Sequence, residues 1–177
     1  MFDEVQSGVG RTGELFAYKN YGIIPDLLSM AKGLGNGYPI GAFIVNETVN
    51  NVLTAGTHAS TFGGTPLACA AAIAVLDTIY DEKLLLNCRK MEEIIKLELS
   101  KLKTKYPCIQ EVRGKGLMVG IVLNIPCDDV IADAAENGLL LIPAGANVIR
   151  FYPPINVTEG ILKNALEVFE SVLKKNC

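Results

Sequence analysis

The sequence has little with which to bind a metal, cross a membrane or coat a nucleic acid. It contains a single histidine, His58, and five cysteines (Cys69, Cys88, Cys108, Cys127, Cys177) that form no C-x-x-C pair. An odd count at wide spacing argues against both a zinc site and a disulfide framework, and a reducing cytoplasm is the compartment expected. The longest apolar run, Leu67 to Leu76, is about half of the roughly 20 residues that a spanning helix needs. Basic residues are not in excess: 16 Lys+Arg stand against 19 Asp+Glu, for a formal net charge of -3. No general field therefore attracts nucleic acid or an acidic membrane, and an anionic substrate must be met by a few placed Arg or Lys residues. The segment Met1 to Gln6 lacks a basic stretch followed by an apolar one and does not read as a signal peptide. No repeat and no low-complexity segment is present.

What the sequence has is glycine, unevenly placed: 11 of its 17 fall within the first 64 residues. That stretch reads as short strands joined by Gly-rich loops, with buried strands expected at 27–31 and 40–45. Thr65-Pro66 then opens a helix, Thr65 as N-cap and Pro66 at the first helical position, and it runs to Tyr80. From residue 81 the pattern changes. Leu84, Leu85, Met91, Ile94, Ile95, Leu99 and Leu102 recur at helical spacing among charges, so 82–104 is a long amphipathic helix that Pro107 ends. Strands are expected at 108–113 and 117–124, separated by Gly114-Lys115-Gly116. A short helix capped by Asp128 or Asp129 ends at Asn137-Gly138. Strands at 139–142 and 147–152 and a last helix behind Thr158 complete the chain. The organisation is a boundary near residue 80, with 81–177 a compact α+β unit. The chain opens on acidic residues in what reads as a buried strand, and is expected to be the C-terminal part of something longer.

Several motifs carry chemistry. Gly8-Val9-Gly10-Arg11-Thr12-Gly13 is a literal G-x-G-x-x-G, but a dinucleotide site needs that loop to open a long helix. Here only 14–20 could be helical, and the preceding strand carries Asp3, Glu4 and Gln6 where apolar residues belong. The loop reads as a connection, and no Walker A pattern surrounds Lys32 or Lys115. Lys32 closes an apolar strand between Ala31 and Gly33. It fits a surface lysine in a Gly-rich turn; it also fits an amine with room for a bulky bonded group, desolvated enough for Schiff-base chemistry. Asp3 fits a surface acid, or a carboxylate that keeps a pyridine nitrogen protonated. Ser60-Thr61-Phe62-Gly63-Gly64-Thr65 runs hydroxyls into a helix N-terminus, a natural anion site. Arg150 sits within an apolar strand, and its guanidinium needs a carboxylate, from a structural salt bridge or from a substrate. His58 and Arg113 read as structural.

Together these segments resemble the class III pyridoxal-phosphate-dependent aminotransferases, the acetylornithine type above all. The resemblance rests on 2–13, Pro25-Asp26 with Ala31-Lys32-Gly33-Leu34, Pro39-Ile40-Gly41-Ala42, and 58–68. It continues through Val112-Arg113-Gly114-Lys115-Gly116-Leu117-Met118 and 144–151, and so covers the whole chain in family order. Thr65 departs from the asparagine usual there. The resemblance implies an α/β fold of fold type I, with 1–80 part of the large cofactor domain and 81–177 the C-terminal small domain. It implies pyridoxal 5'-phosphate as cofactor, Lys32 as the catalytic lysine bonded to it, and Asp3 as partner of the pyridine nitrogen. Gln6 would contact the phenolic oxygen, and Ser60 and Thr61 the phosphate, Thr61 that of a neighbouring subunit in a homodimer. Arg150 would bind the substrate α-carboxylate. An ω-amino donor such as N-acetylornithine and the acceptor 2-oxoglutarate, as in arginine biosynthesis, would be the substrates. No metal, nucleic acid or membrane is implied. The family's main phosphate cup, ring-stacking aromatic and second substrate arginine precede the matched region. An inert folded association module is therefore the competing reading.

Overall fold

A computed structural model describes all residues from Met1 to Cys177 and divides them into two compact units, Met1–Leu85 and Leu86–Cys177. The first unit holds a three-stranded sheet in the order β1 (Phe2–Asp3), β2 (Leu27–Met30), β3 (Ala42–Val45). Strand β1 runs parallel to β2 with Asp3 opposite Ser29, and β3 is antiparallel to β2 with Met30 opposite Ala42. Leu28 and Met30 are buried on one face of β2, whereas Leu27 and Ser29 on the other are only partly covered. The two strands expected at 27–31 and 40–45 are thus present but shorter, and only β2 is buried as expected: β3 buries none of its residues, with Phe43 and Ile44 exposed at the edge of the sheet. Helix α1 (Pro66–Asp81) follows, with Thr65 at the N-cap and Pro66 at the first position, as its sequence requires. The Thr65 hydroxyl makes no capping bond; its carbonyl accepts from the Cys69 N–H at 2.9 Å.

Helix α2 (Leu84–Lys105) begins after Lys83, whose φ of 54° breaks the helical path two residues later than the sequence suggested. In the second unit, β4 (Ile109–Lys115), β5 (Met118–Leu123), β6 (Ile142–Pro143) and β7 (Val148–Phe151) form an antiparallel sheet in the order β4-β5-β7-β6. Helices α3 (Asp128–Glu136) and α4 (Glu159–Asn176) complete it. The core is a single cluster. Cys88, Met91, Ile95, Leu99 and Leu102 line one face of α2, Ile121, Leu123, Ile149 and Phe151 come from the sheet, and Leu162, Phe169 and Leu173 from α4. Each such aliphatic or aromatic side chain contributes about 1.5–3 kcal/mol by leaving water. Phe151 meets Phe169 edge-on at 6.4 Å, the geometry that the ring quadrupoles favour.

Two expectations are corrected here. Neither Asp128 nor Asp129 caps α3: Cys127 occupies the N-cap and both acids lie in the first turn, where their charge meets the helix dipole. The second concerns the cysteines. Cys108, just before β4, and Cys177, just beyond α4, are joined by a disulfide across a separation of 69 residues. Odd count and wide spacing did not exclude this, because the sheet and the last helix bring distant positions together.

Candidate active site

Parallel pairing decides what lies next to what in the first unit. Asp3 ends β1 and stands opposite Ser29, while Lys32 follows β2 by two residues. Asp3 and Lys32 therefore sit at the carboxyl ends of adjacent parallel strands, the edge at which open α/β sheets place their ligands. The Asp3 carboxylate is held on one side only. Its Oδ1 accepts from the Val5 N–H at 3.0 Å and from the Ser29 hydroxyl at 3.2 Å, and no donor of the chain engages Oδ2.

Lys32 opens a 3-10 turn, Lys32–Leu34, and has φ of 47°. Left-handed backbone at a non-glycine residue is uncommon and concentrates at functional sites. Its side chain is exposed and engages no acid of the chain, so the desolvated environment that Schiff-base chemistry favours is not built by these residues alone. Helix α1 packs on this turn. From below, Val9 supports it: a Cβ placed on Gly33 would touch the Val9 Cβ at 3.6 Å. Val9 is itself buried and left-handed, with φ of 53°. Left-handed backbone therefore occurs at both Val9 and Lys32, on either side of this contact in the chain.

The Gly8–Gly13 loop opens no α-helix. It leads into a five-residue 3-10 turn, Ala17–Tyr21, that ends on Gly22 in left-handed conformation. That loop is anchored by Glu4, whose side chain is 2% exposed and accepts from the N–H groups of Ala17 at 2.6 Å and Tyr18 at 2.7 Å. Gln6, partly buried, lies in the turn between β1 and this loop and is engaged within the chain. The sequence marked Asp3, Gln6 and Lys32; it gave no signal for Glu4 or Val9, because burial and backbone torsion are set by the loop's return onto β1.

Ser60 and Thr61 lie in the exposed segment before α1. Neither hydroxyl has a partner in the chain, which leaves both free to meet a group from outside. His58, in the same segment, is exposed and holds nothing in place, against the structural reading of the sequence.

Arg150 belongs to the second unit. On β7, Ile149 and Phe151 enter the core, and Val148 and Arg150 take the opposite face, half-buried. Arg150 lies in register with Gly120 of β5, which in turn faces Arg113 of β4. The absent side chain at Gly120 leaves that row open, with the Arg113 Cγ 3.6 Å from where a Cβ would stand. Arg113 pairs loosely with Glu111 at 3.4 Å, but Arg150 has no carboxylate. A guanidinium can grip a carboxylate through two parallel N–H groups, and no carboxylate of the chain occupies that of Arg150.

Nearby, Glu92 of α2 reaches the β4–β5 turn. Burial raises its carboxyl, but the Lys96 ammonium at 2.6 Å, the Gly116 N–H and the charge of Lys115 outweigh that and hold it below the ordinary value of 4.5.

The family profile Aminotransferase class-III matches residues 1–173, and the chain belongs to that family. It is 44% identical over 176 residues to the acetylornithine aminotransferase of Caldanaerobacter subterraneus subsp. tengcongensis, which covers 99% of this chain and 44% of that protein. Among solved structures, it superimposes on acetylornithine aminotransferase from Elizabethkingia anophelis with a TM-score of 0.90 at 39% identity, covering 97% of this chain and 46% of the other. It also matches the Toxoplasma gondii ornithine aminotransferase, which has pyridoxal phosphate at its active site, with a TM-score of 0.92 at 36% identity, covering 98% and 42%. The fold is that of the fold-type-I pyridoxal-phosphate-dependent transferases, and the chain spans somewhat less than half the length of these relatives.

Proposed function

We propose that this chain is the C-terminal part of an acetylornithine-type aminotransferase. It would use pyridoxal 5'-phosphate to move an ω-amino group to 2-oxoglutarate, in arginine biosynthesis and in the cytoplasm. One observation carries the reading: Asp3, with Oδ2 open, and Lys32, strained and unpaired, stand at the ends of neighbouring parallel strands. The residues fit the cofactor, since they offer an amine to bond its aldehyde, a carboxylate oxygen for its ring nitrogen and hydroxyls for its phosphate. When bound, the cofactor would supply an electron sink for loss of a proton from the substrate carbon that bears the transferred amine.

The chain's own residues do the rest. Lys32 Nζ would bond the cofactor's aldehyde and, when free, would take up and return the proton of the substrate carbon that bears the amine, as nucleophile and then as acid–base. Asp3 Oδ2 would hold a proton on the ring nitrogen. Gln6 lies at the turn beside Asp3 and would contact the phenolic oxygen. Thr61 and Ser60 would hold a phosphate, Thr61 that of a second subunit, which makes the working form a homodimer. Arg150 would orient the substrate by its α-carboxylate, and a 2-oxo acid would be the amino acceptor.

A second reading is favoured by the surface. The first unit exposes Phe43, Ile44, Phe62, Leu67, Ile73 and Tyr80. Such a surface suits a folded association module without turnover. One experiment separates the two. The chain is incubated with pyridoxal phosphate, reduced with borohydride, digested and mapped. Label confined to Lys32, and lost in Lys32→Ala, is the expected result; label scattered over surface lysines would leave only the association module.

A further inference from the structure

We infer that Ser29 is a positioning residue for Asp3: its hydroxyl occupies one carboxylate oxygen so that the other is presented to the protonated ring nitrogen of a pyridine cofactor. The inference rests on the cofactor reading above and adds to it the residue that aims the carboxylate.

Asp3 by itself is not fixed. The Val5 N–H that binds its Oδ1 at 3.0 Å is two residues along the chain, the local turn that a free aspartate makes in many loops. Such a bond restrains the side chain but does not tie it to the rest of the sheet. Ser29 does so. It stands directly opposite Asp3 in the parallel pair, and its Oγ donates to the same Oδ1 at 3.2 Å. The adjoining backbone bond, Glu4 N–H to the Ser29 carbonyl at 2.8 Å, locks the register that makes this possible. Two donors on one oxygen leave Oδ2 as the open acceptor of a carboxylate that ends β1, at the same edge as Lys32. Ser29 is the one hydroxyl in the aliphatic run Leu27-Leu28-Ser29-Met30 and lies on the face opposite buried Leu28 and Met30. Its place is therefore explained by Asp3 and not by packing.

The test has a part without cofactor and a part with it. Scalar couplings report the Asp3 χ1 rotamer in the cofactor-free chain: one rotamer is expected in the wild type and in Ser29→Thr, and averaging in Ser29→Ala. Retention of a single rotamer in Ser29→Ala overturns the inference, whatever the cofactor does. Absorbance titration with pyridoxal phosphate should then show at least about tenfold weaker binding for Ser29→Ala, the loss of one hydrogen bond to a charged group. Ser29→Thr should restore it, and Ser29→Ala should add nothing in an Asp3→Ala background. An equal loss in that background marks a merely structural effect and also overturns the inference. Averaging of the rotamer with unchanged affinity, or no uptake by the wild type, sinks the cofactor reading instead, and with it the purpose assigned to the hydroxyl.

Discussion

Glu4 is the residue on which the first unit's geometry most depends. Both carboxylate oxygens receive a backbone N–H, from Ala17 and Tyr18, and the group is all but sealed from water. In Glu4→Gln, one of those oxygens becomes an NH2 that confronts another donor. The substitution should cost about 2–3 kcal/mol in denaturant unfolding, and a loss of less than half that would show the clamp to be unimportant. Nothing in the sequence showed that Glu4, next to Asp3, is the buried one of the two acids. The strand period turns consecutive side chains to opposite sides, and which side is sealed depends on a loop that returns only at Ala17.

Glu92 makes the residue-scale prediction for pH. Its carboxyl is held below the ordinary 4.5, so its contribution is present above that value and is lost as pH falls through the folded-state pKa. Stability should decline on acidification below about pH 4.5, and Glu92→Gln should flatten that limb of the curve. An unchanged acid limb in the variant would refute the assignment.

Among the elements, the local signals were legible wherever a single residue type decides the backbone. Thr65-Pro66, Thr158 and Asn137-Gly138 mark helix ends where the structure has them. The Thr158 hydroxyl accepts from the Ile161 N–H at 3.4 Å, and Thr158→Ala should lower stability by about 0.5–1 kcal/mol, read from the melting transition. Gly35 lies between the lysine turn and β3. A Cβ there would collide with the Tyr38 carbonyl and crowd the Ile40 Cγ2 at 2.7 Å. Gly35→Ala should displace the Lys32–Leu34 turn and reduce pyridoxal-phosphate labelling of Lys32 well before it unfolds the second unit; intact labelling would show the turn to be tolerant. Element ends were less legible. Strand and helix limits moved by up to three residues, most at β6, expected at 139–142 and found at Ile142–Pro143, because they follow hydrogen-bond partners supplied from elsewhere.

For the whole molecule, the buried set of the second unit, Cys88 to Leu173, lies wholly within residues 86–177. That segment should fold alone with a single cooperative transition, and a broad transition would contradict a self-contained core. Within it, Lys175 and Asn176 of α4 both bind Asp133 of α3 at 2.7 Å, and the Lys175 and Asn176 bonds hold the Asp133 carboxyl below its ordinary value. The Cys108–Cys177 bond closes the same end. Reduction, or Cys177→Ser, should lower stability by about 2–4 kcal/mol, and the variant should no longer respond to reductant. Equal melting temperatures with and without reductant would discount the staple. A reducing cytoplasm would keep both thiols open.

The sequence by itself determined the chemistry available: one lysine among small residues, an acid and an amide near the first strand, hydroxyls before a helix, an arginine within a strand. It also determined the residues that mark several helix ends, and the family. Those properties are local, carried by residue type and spacing. Only the tertiary structure decided which oxygen of Asp3 stays open, that Ser29 holds the other, that Glu4 is buried, that Arg150 lacks an internal partner, and that two distant cysteines meet. Strand register and loop return set these, and both arise from contacts between residues far apart in the chain.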